Sequence, residues 1–249
     1  MIEREVQGDV AILRLAHGKA SALDLELLVA LDEALQAEER SQERALVLTG
    51  SGTIFCAGVD LKRIVQGRRG YIEAFLPALE RAFARLFFLE KPVVAAINGH
   101  AIAGGAVIAL ACDQRLLARG KGMVGTPELK VGVPFPFLAL EILRASLGLR
   151  LAATLVVEGR NYSGEEALAQ GMVHELVGLE ALMPRALESA ASLARIPSES
   201  FRLSKRWLRR PSKELWERNR AESEAATLEA WCGEPVLRAV EDYVARTLR

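Results

Sequence analysis

Apolar and polar positions change rhythm along the chain, and the changes mark out elements. DVAILRL (9–15) alternates apolar and polar residues, the pattern of a half-buried strand. Residues 24–40 place Leu27, Leu28, Leu31 and Leu35 at helical spacing, behind Ser21 and Asp24 as candidate caps. RALVLTG (44–50) is a short apolar run ending in glycine, as a buried parallel strand would be. A loop-rich segment, SGTIFCAGVDLKRI, leads to a helix expected from about Tyr71 to Leu89, which Lys91-Pro92 stops. VVAAI (93–97) is a second buried strand ending at the Asn98-Gly99 turn, and CDQRLLA (112–118) reads as a third. Ser163 and Glu166 form an S-x-x-E capping box for a short helix closed by Gly171. From about Leu179 the chain is nearly all helical, with breaks expected at Pro197, Pro211 and Pro235. The order predicts an α/β fold with an appended helical region: a core over 1–194 and a helical part over 195–249.

Composition narrows the class. The 249 residues are 51% apolar and 26% charged, the profile of a globular protein able to bury a sizeable core. Thirty-two basic and 32 acidic residues cancel, which argues against nucleic acid as the main partner. Cys56, Cys112 and Cys232 form no C-x-x-C pair and read as reduced thiols. Glu3, Arg4 and Glu5 occupy the place of a signal peptide's apolar run. The most apolar window, 93–111, is broken by Asn98, Gly99, His100 and the pair Gly104-Gly105, so no membrane span is expected. Asn161-Tyr162-Ser163 matches a glycosylation sequon, but without a secretion signal it carries no weight. A cytoplasmic protein is the expectation.

Candidate chemistry lies in three places. No phosphate-binding P-loop, dinucleotide fingerprint or nucleophile elbow is present, and His17, His100 and His174 are scattered without metal-ligand spacing, as ordinary surface or loop histidines are. FCAGVDL (55–61) breaks an apolar run at Ala57-Gly58, and AIAGG (101–105) does the same at a helix start, where unpaired N–H groups favour negative charge. One amide from each would make an oxyanion hole; tight turns needing glycine for steric reasons would look the same. In GTPELKVGVPFPFLAL (125–140) Glu128 is the lone acid. Its apolar neighbours would desolvate it and raise its pKa toward a range useful for proton transfer. Thr126-Pro127-Glu128 is equally an ordinary helix start, with Thr as cap. The run FRLSKRWLRRPSK (201–213) reads as a solvated helix face, or, more sharply, as contacts to a phosphate-bearing ligand.

These segments, with KASALD (19–24), LVLTGSGTIFCAGVDLKRI (46–64), KPVVAAINGHAIAGGAVIALACDQRL (91–116), TPELKVGVP (126–134) and YSGEEALAQGMV (162–173), resemble the crotonase superfamily, the enoyl-CoA hydratases and isomerases, over nearly the whole chain. The resemblance implies a spiral of ββα turns with a helical C-terminal region used for homotrimers, which often pair into hexamers. It implies an acyl-CoA thioester substrate, coenzyme A being part of the substrate and no separate cofactor or metal being needed. Carried over by position, the amides of Val59 and Gly104 would hold the thioester carbonyl. Lys19 and Ala20, with Ala57, Gly58, Asp60 and Leu61, would line the adenine and pantetheine path.

Classical hydratases of this family carry two glutamates. The position of the first is Val107 here and that of the second is Glu128. Hydration divides its work between two carboxylates; moving a double bond needs one base that takes the α-proton and returns it at the γ-carbon. AGGAVIALACD and VGVPFPFL also resemble the Δ3,Δ2-enoyl-CoA isomerase branch. The implied activity is therefore 3-enoyl-CoA to 2-enoyl-CoA isomerisation. The alternatives are a hydratase or dehydratase with a relocated acid, such as Glu73, and a CoA-ester-binding protein without catalysis. Leu76, Phe83, Phe87 and Phe88 suggest an apolar acyl pocket, though core packing would use them equally.

Overall fold

The computed structural model describes residues 1–120 and 122–247. β1 (Ile2–Gln7) and β2 (Val10–Leu15) pair antiparallel, and α1 (Leu25–Arg40) crosses back to β3 (Ala45–Gly50), parallel to β2. β4 (Ile54–Cys56) then leaves for a second sheet, and α2 (Leu61–Phe88) returns the chain. The pattern repeats with β5 (Val93–Ile97), β6 (His100–Ile102) and α3 (Gly104–Ala111). A third round brings β7 (Gln114–Ala118) and β8 (Met123–Gly125), followed by the single-turn α4 (Glu128–Val131) and by α5 (Phe137–Glu158). β9 (Asn161–Ser163), α6 (Gly164–Ala169) and β10 (Glu175–Val177) precede α7 (Leu179–Ala194), α8 (Ser198–Cys232) and α9 (Glu234–Thr247).

Each round gives its first strand to one sheet and its second to the other. The larger sheet runs β1-β2-β3-β5-β7-β10 and the smaller β4-β6-β8-β9. This is the wound ββα arrangement that the resemblance implies. Both faces of its inner strands β2, β3, β5 and β7 are buried, which explains their continuous apolar runs, while the edge strand β1 is exposed. Alternate residues such as Ala11, Leu13, Leu46 and Leu48 face the main core with α1, α2, α3 and α5. Val10, Ile12, Val47 and Val94 face Leu182, Ala186 and Ala190 of α7.

Several local expectations change. Asp24, not Ser21, caps α1: its carboxylate accepts from the Leu27 amide at 2.8 Å, while the Ser21 hydroxyl donates to Leu15 O. α2 starts ten residues before the expected Tyr71, because Asp60 caps it by accepting from the Lys62 and Arg63 amides. A kink at Arg68 (φ 46°, ψ −143°) interrupts it. The third strand starts at Gln114, two residues late. The Ser163–Glu166 capping box forms as read. Pro211 does not break α8, which runs through it. Contacts on both sides hold the helix there: Lys205 and Arg209 pair with Asp113 before it, and the Trp216 indole donates to Glu80 after it. Pro235 is the second residue of α9, where its missing N–H costs nothing. Among the described residues no helix is long and apolar enough to cross a membrane.

Candidate active site

Three parallel strands of the smaller sheet deliver the three candidate segments to one end. β4 pairs with β6 through Cys56 and Ala101, and β6 pairs with β8 through Ala101–Val124 and Ile102–Gly125. Val59 follows β4 by three residues, Gly104 follows β6 by two, and Glu128 follows β8 by three. The carboxyl ends of adjacent parallel strands thus bring together residues far apart in sequence, where open α/β sheets commonly bind ligands.

The first two segments touch. A Cβ added to Gly58 would stand 2.7 Å from Ala103 Cβ, 2.8 Å from Ile102 O and 3.3 Å from Gly104 N. Gly58 has φ +85°, and a side chain at Gly105 would collide with the Cys56 carbonyl. Glycine is therefore required at both positions by close approach. Ala103, the N-cap of α3, holds φ 53° and ψ −126°, a conformation a residue with a Cβ adopts only under constraint. Around this junction most amides are engaged: Ala57 N donates to Ala20 O, Asp60 N to Leu23 O and Ala103 N to Gly125 O. The amides of Val59 and Gly104 donate to no main-chain acceptor among the described residues. Both residues line one cavity of about 690 Å³. Two unengaged N–H groups on one cavity wall can receive an oxygen that gains negative charge.

Glu128 lines the same cavity. It opens α4, whose end is set by Gly132 in the left-handed region (φ 96°); the Gly132 and Val133 amides both donate to Glu128 O at 3.0 Å. Thr126 does not cap this turn: its hydroxyl donates to Leu155 O, and Pro127 occupies the N-cap. The Glu128 carboxyl atom Oε2 is buried with no hydrogen-bond partner. Burial pushes the Glu128 carboxyl up to about 8, against the opposing pull of its own backbone amide. An acid held near neutrality can give and take a proton in turn. Val107, one turn into α3 and 1% exposed, adds an apolar wall where a second acid could have stood.

The remaining candidates divide. Lys19, Ala20, Ala57, Asp60 and Leu61 line the cavity; Gly58 stands behind it, packed on Ala103. The Asp60 carboxylate is occupied as the α2 cap. Phe83 lines the cavity, whereas Leu76 faces a separate one beside Glu73, and Phe87 is core. Glu73 is half exposed, pairs with Arg69, and lines a separate cavity from that of Glu128. The basic run also lies elsewhere. Arg202 and Arg206 pair with Glu90, Lys205 and Arg209 with Asp113, and Arg210 with Glu214.

Sequence reasoning missed some of the wall. His17, in the loop after β2, is part of it, its Nε2 2.7 Å from the Asp24 carboxylate. Trp231 and Tyr243, from α8 and α9, close the cavity from the C-terminal side. Only long-range packing brings them there, and no local signal sets Trp231 apart from Trp207 and Trp216 of the same helix. Among the described residues no group of three His, Cys, Asp or Glu side chains could hold a metal ion. Cys56 and Cys112 are buried, each pushed up to about 12 by desolvation, and are poor nucleophiles.

The enoyl-CoA hydratase/isomerase family model matches residues 5–234. The short-chain-enoyl-CoA hydratase of Clostridium acetobutylicum is 33% identical over 83% of this chain and 80% of its own. Human mitochondrial enoyl-CoA delta isomerase 1 is 29% identical over 84% of this chain and 70% of its own. The crystal structure of human mitochondrial delta3-delta2-enoyl-CoA isomerase superposes with a TM-score of 0.94 at 26% identity, covering 98% of this chain and 97% of that one. With the crotonase fold and an isomerase-like pattern in its site segments, the chain belongs to the enoyl-CoA hydratase/isomerase family.

Proposed function

We propose that the protein moves a double bond, converting a 3-enoyl-CoA to the conjugated 2-enoyl-CoA, with Glu128 as sole proton shuttle. One observation carries this reading. Among the described residues lining the cavity, the carboxylates of Asp24 and Asp60 are committed to helix caps, whereas Glu128 keeps a buried carboxyl oxygen, Oε2, without a hydrogen-bond partner. In this scheme the Glu128 carboxylate takes a proton from C2, and the amides of Val59 and Gly104 stabilise the dienolate oxygen. The resulting carboxylic acid returns the same proton to C4, so nothing is gained or lost overall. The apolar Val107 helps exclude water, which hydration would need activated by a second acid.

Coenzyme A enters as part of the substrate, with Lys19, Ala20, Ala57, Gly58, Asp60 and Leu61 along its path, and no other cofactor is required. The chain works in the cytoplasm as a homotrimer or dimer of trimers, without nucleic-acid or membrane partners. Its reacting groups lie within 1–194, while 195–249 forms the assembly region and also closes the cavity with Trp231 and Tyr243. The test is to supply purified protein with 3-hexenoyl-CoA and resolve the products by chromatography and mass. An equal-mass 2-enoyl ester supports the reading. Water addition to the 2-enoyl ester would replace it with hydration, and binding without conversion of either ester would leave a thioester-binding protein.

A further inference from the structure

Glu128 sits on a single helical turn, followed by the loop Gly132-Val133-Pro134-Phe135-Pro136. Its own carboxyl atom Oε2 has no partner, so the aim of the side chain depends on how that loop is held. The C-terminal helices grip the loop from behind at two points. The Trp231 indole Nε1 of α8 donates to Pro134 O at 3.0 Å. On α9, Ala239 abuts Gly132, where an added Cβ would stand 2.5 Å from the Ala239 Cβ. Trp231 is itself fixed, 2% exposed and tilted against Phe75 with ring centroids 6.3 Å apart. It also lines the cavity that Glu128 faces.

We infer that Trp231 is a positioning residue for Glu128: its N–H clamps the loop that carries the acid and so keeps the carboxyl in its buried place. The inference rests on the reading of Glu128 as the working acid. Loss of the N–H frees the Pro134 carbonyl and lets the α4 turn drift, and small misplacements of a catalytic group cost rate steeply. Water reaching the carboxyl stabilises its ionised form and lowers its titration midpoint. His17, Lys19, Asp24, Asp60, Lys62 and Tyr243 line the same cavity; Glu128→Gln identifies which titration belongs to Glu128 and not to them.

The test is Trp231→Phe in the full chain, which keeps a ring and removes the donor. Turnover of 3-hexenoyl-CoA should fall by about tenfold or more, while the Kd of the unreactive hexanoyl-CoA, by calorimetry, stays within about threefold. The Glu128 carboxyl resonance, in protein labelled with ¹³C-glutamate, should titrate about half a pH unit or more lower. Ala239→Val crowds Gly132 from the other grip with Trp231 intact, and should reproduce both changes if Trp231→Phe does not fold. Unchanged turnover and midpoint in the folded variants would overturn the inference. A parent that binds hexanoyl-CoA without isomerising would refute the proposed reaction alone, because the resonance midpoint still decides whether the clamp exists.

Discussion

At the scale of single residues, the proposed reaction turns on one carboxyl that burial makes less acidic. Glu128, pushed up to about 8 by burial, is ionised in roughly one molecule in ten at pH 7. Its working form is the base, so kcat/KM on a 3-enoyl-CoA should rise about tenfold per pH unit below 8 and level off above. A pH–rate profile checks the sign. Glu128→Gln should lower turnover by roughly 10²–10⁴ while leaving thioester binding within a few-fold. The same group has a cost in stability. Its folded pKa lies above its ordinary value of 4.5, so its contribution is fully present below 4.5 and lost as pH rises to about 8. Glu128→Gln should therefore exceed the parent in urea unfolding at pH 8 by about 2 kcal/mol or more, the gap closing toward pH 4.5. Equal stabilities at both pH values would contradict the buried-acid account.

At the scale of elements, the site is a property of strand ends. The junction of Gly58 with Ala103 and Gly104 has no room for a methyl group, and Gly58 also needs a positive φ. Gly58→Ala should push the Val59 and Gly104 amides apart, cutting turnover by about 10²–10³ and stability by about 1–3 kcal/mol. Kinetics and thermal melts would read the two effects separately. Much of this was legible in the sequence, because glycine at a strand-to-helix turn and a lone acid among apolar residues are local patterns. The spacing of AGVDL, AIAGG and TPE revealed the three segments. Their convergence needed the pairing of β4, β6 and β8, which periodicity does not encode. The early start of α2 was hidden because its cap, Asp60, sits in a segment read for chemistry and not for helix signals.

For the whole molecule, the C-terminal helices complete the cavity and also lock onto the core. Asp113 accepts from Lys205 Nζ at 2.6 Å, Arg209 Nη2 at 2.7 Å and the Val93 amide at 2.8 Å. Burial pushes Lys205 down to about 8 even with Asp113 beside it. Asp113→Asn should cost about 3 kcal/mol in urea unfolding, since it leaves buried cations without a counter-charge. A change below about 0.5 kcal/mol would mean that α8 is held by apolar packing instead. The charges at 201–213 were visible from the start, but Glu90 and Asp113, which hold Lys205, Arg206 and Arg209, lie about a hundred residues earlier, which no local reading supplies.

The winding of the chain has a consequence for how activity appears during folding. Val59, Gly104 and Glu128 come from three successive rounds, and Trp231 is added about a hundred residues after the last of them. Contacts so distant along the chain form late, after local helices and neighbouring strands. A nascent or refolding chain should therefore regain helical circular dichroism before it can capture an acyl thioester, and this protein should be silent toward its ligand until the C-terminal helices dock.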